Sequence, residues 1–306
     1  MPQLDLLIVG AGVAGLTAAA TAARYGLKLA VVERIGAGGQ VMNIDRIENF
    51  PGFPQGVSGY ELGPLLQEQA EAAGAEFLLD SIEGLEVSGR ERIVVGAEGR
   101  ISALSVVIAA GSGKRLLGVP GEERLTGHGV SHCASCDGPF FKMRDVCVVG
   151  GGDSALDEAL ALARHARQVA IIHRGRAFAA QQCLVDRVSA TDNVEVILET
   201  EVQEILGEKT VSSVSLRNLR TGEVSIRQAE GVFIYVGLTP LTSFLSGLLR
   251  LDATGHIETD VMMRTSLVGV FAAGDIRAGS VAQLAAAAGD GVTAAVSAYR
   301  YVLGLR

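Results

Sequence analysis

The chain has 306 residues, enough for one large or two medium domains. Its apolar content of 48% with 39 glycines excludes a disordered chain and fits a glycine-punctuated α/β enzyme. A formal charge of −8 argues against a nucleic-acid surface, and no apolar run approaches the ~18–20 residues of a membrane span.

Leu4–Val9 reads as a short buried parallel strand. Gly10-Ala11-Gly12-Val13-Ala14-Gly15 follows, then an alanine-rich helix to about Tyr25 and a second strand, Leu29–Val32, ending at Glu33. This order of strand, glycine turn, helix, strand and acid marks a dinucleotide site. Gly10 makes the tight turn, Gly12 admits a pyrophosphate, and Gly15 lets helix and strand pack closely. Glu33, 23 residues after Gly10, is placed to accept hydrogen bonds from a ribose. Val13–Ala23 is apolar, but it lacks a basic flank and starts inside the glycine turn, so it is not read as a secretory signal. Gly36-Ala37-Gly38-Gly39-Gln40 suggests backbone laid against a flat or phosphorylated ligand. Asn49-Phe50-Pro51-Gly52-Phe53-Pro54 is a turn-rich connection, either a plain loop or a ligand-facing wall.

Tyr60–Gly74 has helical periodicity through Leu62, Leu65, Leu66 and Ala70. Short strands are expected at Glu76–Leu79, Ile82–Val87, Arg92–Val95, Arg100–Leu104 and Val106–Ala110, the last ending at a hinge, Gly111-Ser112-Gly113. Then comes Cys133-Ala134-Ser135-Cys136-Asp137. Two thiols at this spacing can close into a disulfide and reopen, and one supplies the thiolate that exchange requires. Asp137 can hold or give the proton of a leaving thiol. Half a zinc site and two inert thiols are the other readings. Zinc needs about four ligands, and Cys147 and Cys183 are isolated, so redox chemistry is favoured and no metal is expected.

Val146–Val149 opens a second dinucleotide unit: Gly150-Gly151-Gly152-Asp153-Ser154-Ala155, a helix to about Ala166, and the strand Gln168–Ile172. Gly150 to His173 spans 23 residues, the offset of Gly10 to Glu33. Two such units at equal spacing make a strong signal. The first ends in an acid, which suits the free ribose of FAD; the second ends in His173-Arg174-Gly175-Arg176, which suits the 2′-phosphate of NADPH. Val194–Leu198, Glu201–Leu206, Val211–Asn218 and Glu223–Gln228 read as an antiparallel meander, followed by the strand Gly231–Val236. A second hinge is expected at Gly237-Leu238-Thr239-Pro240. Val268–Ala272 is a strand running into Gly274-Asp275, and Ala278–Gln283 opens a last alanine-rich helix. An Asp at such a strand end can bind ribityl hydroxyls, and the following helix start favours negative charge on a flavin.

The set Gly10-x-Gly12-x-x-Gly15, Gly38-Gly39-Gln40, Cys133-Ala134-Ser135-Cys136-Asp137, Gly150-x-Gly152-x-x-Ala155, His173-Arg174 and Gly274-Asp275 resembles the low-molecular-weight, bacterial-type thioredoxin reductases across essentially the whole chain. The resemblance implies an α/β fold with two Rossmann-like domains (FAD and NADPH type) in a three-layer ββα arrangement, the class II pyridine nucleotide-disulfide oxidoreductases. An FAD domain of residues 1–112 and 243–306 and an NAD(P)H domain of residues 113–242 carrying Cys-x-x-Cys are expected. The resemblance implies a homodimeric flavoprotein that passes electrons from NADPH through FAD and the disulfide to thioredoxin, with a swivelling NADPH domain. Cys136 would be the flavin-proximal thiol, Cys133 the thiol that attacks thioredoxin, and Asp137 the acid/base. FAD would be held by Gly10, Gly12, Ala14, Gly15, Glu33, Gly38, Gly39, Gln40, Asn49, Gly111, Gly274, Asp275, Val281, Ala282 and Gln283, and NADPH by Gly150, Gly152, Asp153, Ser154, Ala155, His173, Arg174 and Arg176.

Two places depart from the pattern. The family has His-Arg-Arg and a further Arg where this chain has His173-Arg174-Gly175-Arg176 and Phe178-Ala179-Ala180. Each lost charge-assisted bond weakens 2′-phosphate recognition by on the order of 1–3 kcal/mol. Val281-Ala282-Gln283 stands in place of Tyr-Arg-Gln. A flavoprotein that oxidises dithiols with oxygen or accepts electrons from ferredoxin is therefore the alternative, and a non-catalytic redox sensor a third reading. Cytoplasmic residence is expected, since a reducing cytosol is the default compartment for a chain with so few cysteines and no secretory signal.

Overall fold

The structure, a computed structural model, describes residues 4–245 and 247–306. It divides into two compact units, Met1–Gly113 with Thr239–Arg306, and Lys114–Leu238.

The first unit starts with β1 (Leu4–Val9), α1 (Val13–Arg24), β2 (Leu29–Glu33), α2 (Gly59–Ala72) and β3 (Glu76–Leu79). β4 (Ile82–Ser88), β5 (Glu91–Gly96) and β6 (Gly99–Ile108) form an antiparallel meander, and β7 (Ser112–Lys114) ends the segment. β1 is buried at every position, as a parallel strand covered on both faces must be. One expectation fails here: Arg100–Leu104 and Val106–Ala110 are a single strand. Ser105 looks like a break, yet it lies opposite Leu6 in the ladder and its hydroxyl donates to the Asp5 carbonyl at 3.0 Å. A buried hydroxyl with a partner need not interrupt a strand.

The second unit contains α3 (Glu122–Leu125), β8 (Val130–Ser131), α4 (Ala134–Asp137), β9 (Asp145–Gly150), α5 (Asp153–Ala163), β10 (Gln168–Ile172), α6 (Gln182–Ser189) and β11 (Val194–Ile197). β12 (Thr200–Leu206), β13 (Ser213–Asn218), β14 (Val224–Gln228) and β15 (Gly231–Tyr235) follow. Its main sheet runs β11-β10-β9-β15-β8, all parallel. The expected four-strand meander is thereby corrected: β11 pairs with β10 in parallel, and only β12, β13 and β14 form the antiparallel sheet. The reason is α6, which the sequence reading passed over; a crossover helix between β10 and β11 makes the pair parallel.

The chain re-enters the first unit through β16 (Leu238–Pro240) and adds β17 (Val270–Ala272) and α7 (Leu284–Leu305). β17 pairs in parallel with Val106–Ile108, beyond the stretch of β6 that pairs with β5. The resulting sheet runs β3-β2-β1-β6-β5-β4 with β17 on β6. The last helix starts at Leu284, later than expected. Ala282 has φ of 50°, Gln283 is extended, and the Ser280 hydroxyl accepts the Ala282 N–H at 3.2 Å, so residues 278–283 form a turn. α1 and α7 approach closely because both faces are small: Ala18, Ala19 and Ala22 on one, Ala294, Ala295 and Ala298 on the other, and a side chain on Gly291 would strike the Ala14 carbonyl.

Candidate active and cofactor sites

In the first unit, the turn after β1 meets the loop after β2. Gly10 has φ of 104°, and a Cβ there would collide with the Ala109 carbonyl; a Cβ on Gly15 would strike the Gly10 carbonyl. Gly12 caps α1 with no side-chain hydrogen bond, and the space where its Cβ would stand is open for 4 Å. The first-turn N–H groups of a 12-residue helix therefore face an open cradle, the arrangement that receives a pyrophosphate. The Gly38 N–H donates to the Ala11 carbonyl at 2.8 Å, and a Cβ on Gly39 would sit 3.1 Å from Gly12 Cα, so both glycine loops form one floor. Glu33 ends β2 beside this floor, accepting the Ala11 N–H at 2.9 Å and the Arg34 N–H at 2.8 Å.

More distant residues of the chain reach the same unit. The Gln40 amide donates to the Ser112 carbonyl, and the Ser112 hydroxyl donates to the Asp275 carbonyl at 2.8 Å. Asn49 Nδ2 donates to Gln283 Oε1 at 3.0 Å, joining the turn-rich loop to the segment before α7. Leu241 N–H donates to the Gly111 carbonyl at 3.1 Å. The Asp275 carboxyl is raised above the ordinary carboxylate range by burial first, opposed by the Ser280 hydroxyl that donates to it at 3.1 Å. Gly274, at φ of 79°, donates its N–H to Asp290 at 3.2 Å, and Asp290 is paired with Arg277 at 2.6 and 3.0 Å. Ala14 is a packing residue whose Cβ faces Gly274; Val281 and Ala282 are exposed. The residues fit an adenine dinucleotide at the Gly10–Gly15 turn: the cradle is open, the helix N–H groups are uncapped, and an acid stands at ribose distance along the chain.

The second unit repeats the turn with a different finish. Gly150 has φ of 148°, and Ala155, buried, occupies the place that Gly15 holds in the first unit. Gly152 caps α5 with no side-chain bond. Asp153 accepts both the backbone and side-chain N–H of Gln181 at 2.8 Å, folding the 174–181 loop over the turn, and Ser154 is exposed beside it. The His173 ring lies against Gly151, and its Nε2 is 3.1 Å from the Ala177 carbonyl. Arg176 pairs with Glu199 at 3.1 Å, and Arg174 is exposed. The turn fits a dinucleotide; of the two arginines offered to a 2′-phosphate, one is already engaged with a carboxylate.

Cys133 and Cys136 form a disulfide with Cα atoms 5.3 Å apart. Cys133 Sγ accepts the Cys136 N–H at 3.2 Å, and the Ser131 hydroxyl accepts the Cys133 N–H at 3.0 Å. Cys136 is exposed; Cys133 and Asp137 are half-buried. The turn is anchored behind by Phe141, edge-on to Phe233 at 5.3 Å, and flanked by exposed Phe140. Cys147 lies in the core, where burial pushes its thiol up to about 12, and Cys183 is exposed. Sequence reasoning missed a group behind the disulfide: Lys114, Glu158 and Tyr235. A signal for Glu158 exists, since it lies three residues after Ala155 and one before Ala159, a carboxylate beside the apolar stripe of α5. It also missed Ser112, Ser280, Arg277 and Asp290, which brace Asp275 and Gly274 and carry no motif.

The profile of one family, described as pyridine nucleotide-disulphide oxidoreductase, matches residues 4–291. The thioredoxin reductase of Listeria innocua is 44% identical over 300 residues, covering 97% of this chain and 93% of that protein. That of Treponema pallidum is 40% identical over 97% of each chain. Among solved structures, the thioredoxin reductase of Lactococcus lactis aligns with a TM-score of 0.97 at 39% identity, covering 99% of this chain and 100% of that one. No helix among the described residues is long and apolar enough to cross a membrane.

Proposed function

The chain belongs to the pyridine nucleotide-disulphide oxidoreductase family, and from that premise we propose that it is a flavin-dependent disulfide reductase acting on thioredoxin or a similar protein disulfide through Cys133 and Cys136. The observation that carries the reading is the closed Cys133–Cys136 bridge in the same chain as two dinucleotide turns. FAD would be held at Gly10–Gly15, Glu33 and Gly38–Gln40, with Asn49, Gly111, Gly274, Asp275 and residues 281–283 toward its far end. NADPH would be held at Gly150–Ala155 with His173, Arg174 and Arg176. Bound there, the two cofactors supply a path for a pair of electrons to the disulfide.

The chain's own residues do the exchange. Reduction opens the Cys133–Cys136 bond; Cys133 attacks the partner disulfide, Cys136 resolves the mixed disulfide, and Asp137, next in sequence, gives or takes the proton of the departing thiol. Phe140, 76% exposed three residues after Asp137, offers an apolar contact to the incoming protein. A homodimer is part of the same reading; its test is sedimentation, with twice the mass of one chain expected and the mass of a single chain overturning it.

The Arg176–Glu199 ion pair favours a second reading, a donor other than NADPH. The experiment is anaerobic mixing of the yellow protein with NADPH and, separately, NADH, following flavin bleaching. Bleaching by micromolar NADPH followed by turnover with thioredoxin is the expected result. Bleaching by NADH alone overturns the donor. No bleaching by either, while dithiols or reduced ferredoxin still reduce the flavin, overturns the nicotinamide reading.

A further inference from the structure

Behind the disulfide lies a group of titratable side chains that the exchange described above does not use. The N–H of Ala134, the buried residue next to Cys133, points at two acceptors at once: Glu158 Oε2 at 3.0 Å and the Tyr235 hydroxyl at 3.0 Å. Glu158 comes from α5 and Tyr235 from the end of β15, so one backbone N–H ties the Cys-x-x-Cys turn to both layers beneath it. Lys114, from β7, holds its ammonium 5.6 Å from the centre of the Tyr235 ring.

The charges around Glu158 are few and named. Burial pushes its carboxyl up to about 7, opposed by the Lys114 charge, the Ala134 N–H and the Tyr235 hydroxyl, while Asp157 on the same helix adds to the rise. Lys114 is itself lowered by burial, against the pull of Glu158 and Asp137. Opening the Cys133–Cys136 bond adds negative charge one residue from the N–H that Glu158 holds. In a partly desolvated site that charge opposes a second one on the carboxyl.

We propose that Glu158 is a positioning residue of the Cys133–Cys136 pair, orienting it through Ala134 and taking up a proton when the pair is reduced. The step balances as follows. A dithiol or the enzyme's own donor supplies two electrons; the S–S bond breaks; one sulfur takes a proton from solvent and becomes a thiol. The other remains a thiolate, and its counterbalancing proton goes from solvent to the Glu158 carboxylate. Tyr235 and Lys114 set the pH at which that carboxylate is available. The inference rests on the redox reading of the disulfide.

The test equilibrates the full-length flavoprotein anaerobically in mixtures of reduced and oxidised dithiothreitol from pH 6 to pH 9. The open fraction of Cys133–Cys136 is counted by acid quench, alkylation and mass spectrometry. Relative to the dithiothreitol couple, which releases two protons per electron pair, the parent is expected to become easier to reduce as pH rises toward about 7, by up to about tenfold per pH unit, and then to level off above it, where Glu158 takes up one extra proton per electron pair. Glu158→Gln removes that inflection. Tyr235→Phe and Lys114→Met keep it but move it to higher pH, because each deletes a group that favours the ionised carboxyl; these two variants decide the matter if Glu158→Gln does not fold. An inflection that persists in Glu158→Gln, is absent from the parent, or moves downward in the other two overturns the role of Glu158 alone. A pair that stays closed at every ratio overturns this role together with the redox reading.

Discussion

At the scale of single residues, burial and pairing make opposite demands on two acids. Glu158 is raised from its ordinary 4.5 to about 7, chiefly by burial. The folded chain therefore holds a proton that the unfolded chain has released. Its contribution to stability is complete below pH 4.5 and is lost as pH rises through about 7. Glu158→Gln should therefore gain stability relative to the parent across that window, on the order of 1–3 kcal/mol at its upper end. Urea unfolding at pH 5 and pH 8 checks this, and a difference that does not change with pH rejects it. Asp290 is a second acid, buried and bound to Arg277 and to the Gly274 N–H. Asp290→Ala leaves the half-buried Arg277 guanidinium without its carboxylate, with only longer contacts to the Thr259 hydroxyl and the Ala278 carbonyl, and should cost about 2–4 kcal/mol. The same variant should release flavin, since Gly274 and Asp275 lose their brace; flavin retained per chain after gel filtration is the readout, and full retention would count against the placing of FAD there.

At the scale of elements, two glycines separate close packing from mere flexibility. Gly15 lets α1 rest on the carbonyl of Gly10, and Gly15→Ala must push backbone against backbone. It should destabilise by about 1–3 kcal/mol and lower flavin retention. Gly289, inside α7, has nothing within 4 Å of its Cβ position, so Gly289→Ala should raise stability by about 0.5–1 kcal/mol. Thermal unfolding of both variants tests the contrast, and a lowered melting temperature for Gly289→Ala would sink it. The same elements show what was legible in the sequence. β1, α1, β2 and their counterparts β9, α5 and β10 were readable because local signals agree there: an apolar run, a glycine turn with a steric purpose, and helical periodicity. β11 was read as antiparallel because period-2 alternation carries no direction; the direction is set by α6, a helix of only eight residues. The start of α7 was misread because alanine spacing continues through Ala278 and Ala282 while the Ser280 turn breaks the helix. The Cys-x-x-Cys announced itself by spacing. The Glu158, Tyr235 and Lys114 group did not, since it is assembled from three separate elements and only the fold brings it together.

At the scale of the molecule, the chain leaves its first unit once and returns once, through β7 and β16. The second unit is therefore one continuous stretch, Lys114–Leu238, whereas the first is built from two. Continuity matters because the stretch has cores of its own. Cys147, Val149, Ala170, Val202, Ile205 and Ile234 pack on one side of its parallel sheet, and Val148, Leu156, Leu162, Ile171 and Phe233 on the other. A domain with both sheet faces covered from within needs no borrowed surface to fold. The fragment Lys114–Leu238 is thus expected to unfold cooperatively, with a stability of about 5–15 kcal/mol, as single domains do. It should also close the Cys133–Cys136 bond without flavin, because Ala134 is tied to Glu158 and Tyr235 inside the same stretch. Near-ultraviolet circular dichroism through a urea titration reads the first expectation and a thiol count under air the second. A fragment with no cooperative transition would mean that the sheet draws its stability from the rest of the chain. A folded fragment that leaves both thiols open would mean that Glu158 and Tyr235 do not suffice to hold the turn in its disulfide geometry.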